Sequence, residues 1–217
     1  MLNERHLKDL LYQGLARIGK SLSSPKRLEI LDLLSQGPKS VEALSKATTM
    51  SVANVSQHLQ TLINSRLVKF QKKGNYVIYE LADEAITDFL AALHTLSEKQ
   101  FVDIQQIKQE FLNDQFDIEG ISLSELKERM DKGEVLLLDV RPTEEYEKEH
   151  IPGAVSMPIE ELEEKLASLP PNCNVVAYCR GTCCLMSVEA VELLKSKGIN
   201  AFRLEEGVYD WKKSTDN

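Results

Sequence analysis

Apolar residues fall at helical intervals through the first hundred positions. Over 5–22 they are Leu7, Leu10, Leu11, Leu15 and Ile18, the spacing of an amphipathic helix. Ser24-Pro25 predicts the start of a second helix, with Ser24 as cap and Pro25 in the first turn. Its apolar positions are Leu28, Ile30, Leu31, Leu33 and Leu34, and Gly37-Pro38 ends it. Ser40 opens a short helix, Val41 to Ala47. A turn at Thr48-Thr49-Met50 leads to Ser51, a second cap, and a helix running to about Ser65. Leu67 to Gln71 and Tyr76 to Leu81 read as strands around the basic turn Lys72-Lys73-Gly74-Asn75, a hairpin. A long amphipathic stretch follows from Ala85 to about Leu112, then a polar run over 113–120.

Beyond that run the pattern alternates between strand and helix. Ser122 to Glu125 is a capping box, Val135–Val140 a buried strand, and Thr143 to about His150 a helix with acids in its first turn. Ile159–Leu169 is helical, Val175–Tyr178 a strand, and Leu185–Lys197 a helix closed by Gly198. Ala201–Leu204 is a strand and Val208–Lys213 a short helix. Such alternation implies a parallel sheet with helices on both faces. The expected organisation is therefore a mainly helical α+β domain with a β-hairpin over 1–112, a linker over 113–120, and an α/β domain with a parallel sheet over 121–217.

Charge sharpens that division. The chain of 217 residues carries a net −8, which by itself argues against a nucleic-acid binder. The distribution matters more than the sum. Residues 1–97 hold 12 Lys/Arg against 9 Asp/Glu, whereas residues 98–217 hold 14 against 25. Within 20–79 the balance is 9 against 3. A basic segment thus precedes an acidic one. All four cysteines, at 173, 179, 183 and 184, lie in the acidic part, and an adjacent pair points to reactive or metal-binding thiols. No apolar run approaches the roughly 18 residues of a membrane helix. Met1 to His6 lacks the apolar core of a signal peptide, so a cytoplasmic address without membrane contact is expected.

Two short helices joined by a tight turn can place the second in a DNA major groove. On the helix after Ser51, Leu59, Leu62 and Ile63 are core candidates. Ser51, Asn54, Ser56, Gln57, His58 and Gln60 occupy the other face. Amides can pair with adenine edges, and hydroxyls with bases or phosphates. Lys72 and Lys73 at the hairpin tip would meet phosphates, with Tyr76 beside them. The run Ser51 to Leu62, then Leu67-Val68, then Gly74 to Tyr79, closely resembles the ArsR-type winged helix-turn-helix repressors, as does Ser24 to Leu28. The resemblance covers residues 5 to about 110. It implies a homodimer on a pseudo-palindromic double-stranded operator, with the first and last helices of the domain at the interface. Phe89, Leu93, Leu96 and Ile104 form a stripe suited to that role. Many members sense metals through cysteines before the recognition helix. Here Val41 to Ala47 contains none, and His58 and His94 lack convergent acids, so neither metal nor cofactor is expected in this domain.

In the second half, Val175 to Leu185 reads as strand, loop and helix start. Cys179 follows the carboxyl end of a strand, where open parallel sheets place their sites. Loop amides and a helix N-terminus can lower a thiol's pKa there, and Arg180 adds positive charge. Leu138 to Arg141, Glu145-Tyr146, His150 to Ala154, Tyr178 to Gly181 and Glu206 to Trp211 occur in the order found in rhodanese domains, which residues 118–213 closely resemble. The resemblance implies that Cys179 accepts sulfane sulfur as a persulfide. Arg180, Gly181, Thr182, Cys183 and Cys184 would form the loop that holds it. Asp139, Arg141 and His150 map to structural motifs, and Trp211 is expected as a core aromatic. The six-residue loop from Cys179 to Cys184 is sulfur-sized. The related seven-residue phosphate or arsenate loop ends in Arg, where this chain has Leu185. Cys184 offers a resolving thiol for a persulfide on Cys179.

The combined expectation is a homodimeric DNA-binding regulator, in all a repressor, whose second domain senses or processes sulfane sulfur from a small donor or thiophilic substrate. Two other readings stand beside it: a sulfurtransferase with an accessory DNA-binding module, and a thiol-based arsenic or metal sensor. Should the second domain turn over, the resemblance implies a rhodanese-type sulfurtransferase.

Overall fold

The computed structural model describes residues 3–74, 76–103, 106–107, 110–111, 118–171, 173–181 and 183–215. The chain divides into two compact units, Met1–Gln100 and Phe101–Asn217.

The first unit runs α1 (Glu4–Leu22), α2 (Pro25–Ser35), β1 (Lys39–Ser40), α3 (Val41–Thr48), α4 (Val52–Asn64), β2 (Val68–Lys73), β3 (Tyr76–Leu81) and α5 (Ala85–Gln100). Side-chain caps start most of these helices. Asn3 accepts from the His6 amide, Ser40 from Ala43 and Ser51 from Asn54. Ser24 occupies the cap position of α2 as expected. Its hydroxyl makes no capping bond, and its carbonyl accepts the Leu28 amide instead. Thr49, in the left-handed region at φ 54°, ends α3 and turns the chain into α4. Ile30, Leu31, Leu34, Leu44, Val55, Leu59, Leu62 and Val68 form the core between α2, α3, α4 and the sheet.

The sheet order is β1-β3-β2, all antiparallel. β1 is too short for alternation to reveal it. In the hairpin Lys73 pairs with Tyr76, which leaves a two-residue turn, and Gly74 takes φ +61° there. Asn75 lies outside the described residues.

The stretch expected as one helix from Ala85 to Leu112 is interrupted. α5 ends at Gln100, Phe101 is not helical, and the described residues between 102 and 111 are helical again. Ile104 and Leu112, assigned to that stretch, and residues 113–117 lie outside the described residues.

The second unit runs β4 (Gly120–Ile121), α6 (Leu123–Asp131), β5 (Val135–Asp139), α7 (Thr143–Lys148), β6 (Val155–Ser156), α8 (Ile159–Lys165), a 3₁₀ turn (Leu166–Ser168), β7 (Asn174–Tyr178), α9 (Met186–Ser196), β8 (Ala201–Leu204) and α10 (Val208–Thr215). Its five strands are parallel in the order β4-β8-β7-β5-β6, so β7 is central. Strand alternation divides the core between two faces. Leu138, Val175, Ala177 and Cys179 pack with Leu162, Val188, Val191 and Leu194 on one face. Leu137, Val176 and Tyr178 pack with Leu123, Leu126 and Val208 on the other. The same alternation turns Cys179 toward α9 and Tyr178 away from it. Ile118 is buried with the first of these groups.

Candidate functional site: a buried thiol on a strand-to-helix loop, and an exposed helix face

Cys179 is the first residue past β7 and only 2% exposed. Its sulfur lies 3.2 Å from Ser187 Oγ and 3.5 Å from the Cys184 carbonyl oxygen. The Cys184 thiol donates toward it most strongly, followed by the Ser187 hydroxyl and the amides of Ser187 and Gly181. Together they outweigh the burial that opposes ionisation, so the Cys179 thiol is pulled well below its ordinary value. Cys184 moves the opposite way: its proton is shared with the Cys179 sulfur, and burial further disfavours a second thiolate beside the first. Among the described residues no disulfide links the cysteines; Cys183 is exposed, and Cys173 and Cys184 are half-buried.

Backbone constraints hold the loop. Gly181 adopts φ +119°, a region that L side chains rarely enter, and its carbonyl accepts the Cys184 amide at 3.1 Å. Gly207, just past β8, lies so close that a Cβ there would stand 2.8 Å from the Arg180 carbonyl oxygen. Its own amide donates to Asp210 Oδ2 at 3.0 Å. Thr182 lies outside the described residues.

Arg180 has a different role from the one its position suggests. Its guanidinium bonds the buried Glu145 carboxylate, Nε to Oε2 at 2.9 Å and to Oε1 at 3.2 Å, and Nη2 to Oε1 at 2.7 Å. Its charge is therefore neutralised by a partner on α7. Glu145 and Ser187 are the site residues that spacing alone did not nominate as such. Glu145 was legible only as part of a motif, and Ser187 only as a hydroxyl in the first turn of a helix.

Below the loop lies a buried polar network. Asp139 accepts from Arg141 Nε at 2.9 Å and Nη2 at 2.6 Å, and from the Tyr178 hydroxyl at 2.6 Å. That hydroxyl accepts the Ile151 amide, and Arg141 donates to the Glu149 carbonyl. Burial and the neighbouring Asp139 charge push the Tyr178 phenol up, which keeps it a donor. Every member ties a loop at the carboxyl end of the sheet to its strand, and none of these bonds reaches the Cys179 sulfur. His150 stacks on Tyr146 with its Nδ1 2.9 Å from the Tyr146 carbonyl oxygen. Trp211 is half-buried, with the Lys127 ammonium over its ring.

In the first unit, α4 places Leu59 and Leu62 in the core and Asn54, Ser56, Gln57 and Gln60 on an exposed face. His58 is half-buried. Several polar groups on that face are already engaged: Ser51 Oγ caps the helix, Ser56 Oγ donates to the Val52 carbonyl, and Gln60 donates to Asn64. Val52, exposed at the helix start, is an apolar group that the polar reading of this face passed over. Arg17 of α1 donates to the Asn64 carbonyl at 2.6 Å and fixes the far end of α4. Lys72, Lys73 and Tyr76 are exposed at the hairpin tip. Among the described residues no helix is long and apolar enough to cross a membrane, and no three His, Cys, Asp or Glu side chains form a metal-binding group.

Residues 24–69 match the family described as bacterial regulatory protein, arsR family, and residues 122–214 match the rhodanese-like domain. Over 212 residues the chain is 37% identical to the HTH-type transcriptional regulator Rv0324 of Mycobacterium tuberculosis, spanning 98% of this chain and 93% of that one. Over 101 residues it is 36% identical to the putative sulfur carrier protein YrkF of Bacillus subtilis, spanning 46% of this chain and 54% of that one. A solution structure of the homodimeric winged helix-turn-helix DNA-binding domain of a possible ArsR-family regulator from Mycobacterium bovis is 34% identical. It covers 46% of this chain and 93% of that one, with a TM-score of 0.43.

Proposed function

We infer that this chain, which belongs to the ArsR-family HTH-type transcriptional regulators carrying a C-terminal rhodanese-like domain, is a homodimeric repressor whose operator affinity responds to sulfane sulfur held as a persulfide on Cys179. The observation that carries the sulfur part is the Cys179 sulfur itself. It is buried at the end of the central strand, ringed by hydrogen-bond donors and ionised near neutral pH. The DNA-binding unit holds no cysteine, so reactive-sulfur chemistry resides in the other unit.

The DNA-reading part rests on α4 and the hairpin. Asn54 and Gln57 have the amide chemistry for base edges, Val52 suits a thymine methyl, and Lys72 and Lys73 suit phosphates. The dimer rests on exposed apolar side chains that a lone helix would not present to water: Leu7, Leu10, Leu11, Leu15 and Ile18 on α1, and Phe89 and Leu96 on α5. A two-fold pair would read a pseudo-palindromic operator.

Cys184 supplies a second step. Its sulfur attacks the Cys179 Sγ of the persulfide; the Sγ–Sγ bond of a Cys179–Cys184 disulfide forms as the bond to the outer sulfur breaks, and that sulfur leaves as sulfide, which takes the Cys184 proton. Both the persulfide and the disulfide replace the thiolate, and either can alter contacts made by the loop.

The test is operator binding by the reduced full chain before and after treatment with an organic persulfide, with mass spectrometry of the loop peptide. Loss of binding that accompanies a Cys179 persulfide or cross-link, and that Cys179→Ser abolishes, is the expected result. Unchanged binding by a chain modified at Cys179 overturns the regulatory reading. It would favour the second reading, a sulfurtransferase with a DNA-binding module, which the likeness to a putative sulfur carrier protein supports.

A further inference from the structure

The loop around Cys179 also points to the charge of the sulfur donor. From Arg180 to Met186 the sequence holds one basic residue, Arg180, and its guanidinium is hydrogen-bonded to the Glu145 carboxylate, which is 2% exposed. The other loop residues are Gly181, Thr182, Cys183, Cys184 and Leu185, all uncharged when the two thiols are protonated. The groups nearest the sulfur, Ser187 Oγ and the Cys184 carbonyl, are neutral. Leu185, where the loop enters α9, turns 47% of its surface to solvent, and the exposed Cys183 lies two positions before it. An acid, Glu189, stands in the first turn of α9 next to the loop.

A dianion brought to this loop would meet a thiolate, the Glu189 carboxylate and an alkyl side chain, with the loop's one cation already neutralised. Like charges at such short range cost free energy that no ion pair offsets. An alkyl hydropersulfide carries at most one negative charge and has a carbon chain that Leu185 can cover.

We propose that the sulfur donor of this site is a low-charge alkyl hydropersulfide and not the thiosulfate dianion, the selection being made by the Arg180–Glu145 pair and the exposed Leu185. The Cys179 thiolate attacks the outer sulfur of the donor. A Cys179 sulfur–sulfur bond forms as the donor's own sulfur–sulfur bond breaks. The transferred sulfur keeps its proton, and the electron pair leaves with the donor's alkyl thiolate, which water protonates. No outside oxidant or reductant takes part.

This inference rests on the persulfide reading of Cys179 above. The experiment follows the gain of one sulfur atom on Cys179 in the reduced full chain at neutral pH, by rapid quenching and mass spectrometry. The donors are a short alkyl hydropersulfide released from a protected precursor, and thiosulfate. The alkyl donor should load Cys179 at least about tenfold faster, and Leu185→Arg should narrow that gap by raising the thiosulfate rate about tenfold. Leu185 is exposed, so the substitution leaves the core untouched. Equal loading of the wild-type chain by both donors overturns the proposal while leaving a persulfide on Cys179. A wild-type preference that L185R leaves unchanged overturns the charge argument. Failure of both donors to load Cys179 sinks the persulfide reading and this inference with it.

Discussion

The Ser187 hydroxyl lies 3.2 Å from the Cys179 sulfur, across a gap of eight residues that the turn from β7 into α9 closes. Both side chains are buried, and once Cys179 is ionised Ser187 has a proton to give and the sulfur has lone pairs to receive it. The contact converts a helix-start hydroxyl into a determinant of thiol reactivity.

With Cys179 drawn down to about 6 by the Cys184 thiol first and by Ser187 and two amides after it, thiolate is the reactive form across the neutral range. The rate of Cys179 alkylation should rise with pH up to about 6 and then level off. A surface cysteine would keep rising into the alkaline range, with an ordinary pKa near 8.5. Ser187→Ala removes one bond to a charged group, about 1.5–3 kcal/mol. Since about 1.4 kcal/mol is one pKa unit, the midpoint should move up by about one unit or more. An unshifted midpoint in S187A would mean that the hydroxyl does not stabilise the thiolate. Peptide mapping of the alkylated chain separates Cys179 from the other three thiols.

Glu145 and Arg180 form a pair in which the carboxylate is almost fully covered. Glu145→Ala leaves the guanidinium without its partner and should destabilise the second unit by about 3–5 kcal/mol in urea unfolding followed by Trp211 fluorescence. Glu145→Gln keeps the shape and one acceptor oxygen, so its loss should be smaller. Equal stability of E145A and wild type would mean that the pair contributes nothing to holding the loop.

Gly207 supports the loop from behind, and a Cβ there collides with the Arg180 peptide, which has no flexible end to move. Gly207→Ala should shift the loop and slow persulfide formation on Cys179, with the circular dichroism spectrum of the fold retained. Loading of G207A at the wild-type rate would show that the loop does not need this contact.

Two lysines at the hairpin tip and one amide on α4 should separate by their salt dependence. Lys72→Ala with Lys73→Ala should weaken binding to all duplexes alike and reduce the slope of log affinity against log salt by about two. Gln57→Ala should leave that slope intact and cost about 1–3 kcal/mol of preference for the operator. Identical salt slopes for the double lysine variant and the wild type would remove the hairpin from the DNA contact.

Much was legible in the chain itself. Periodicity located the helices of the first unit and the alternating strands and helices of the second, because burial of one helix face or of a central parallel strand imposes a spacing that side chains must obey. The charge division, the place of the thiols and the order of the motifs from Asp139 to Trp211 are properties of the chain as written, and they suffice to mark Cys179 as the nucleophile candidate. Short edge strands escaped this reading, since two residues such as Lys39-Ser40 or Gly120-Ile121 are too few to show alternation and exist only through their partners.

The tertiary structure decided what each polar side chain faces. Arg180 reads as a cation for the site until the fold sets Glu145, thirty-five residues earlier, within bonding distance of it. Ser187 reads as a helix-start hydroxyl until the pleat of β7 directs Cys179 to the same side of the sheet. On α4 the sequence supplies six polar side chains, and only the helix geometry shows that Ser51, Ser56 and Gln60 already bond within the helix. A hydrogen bond or ion pair depends on distances of a few ångströms between residues far apart in the chain. Spacing along the sequence constrains which face a residue occupies, but the partner it meets there is fixed by how the strands and helices pack.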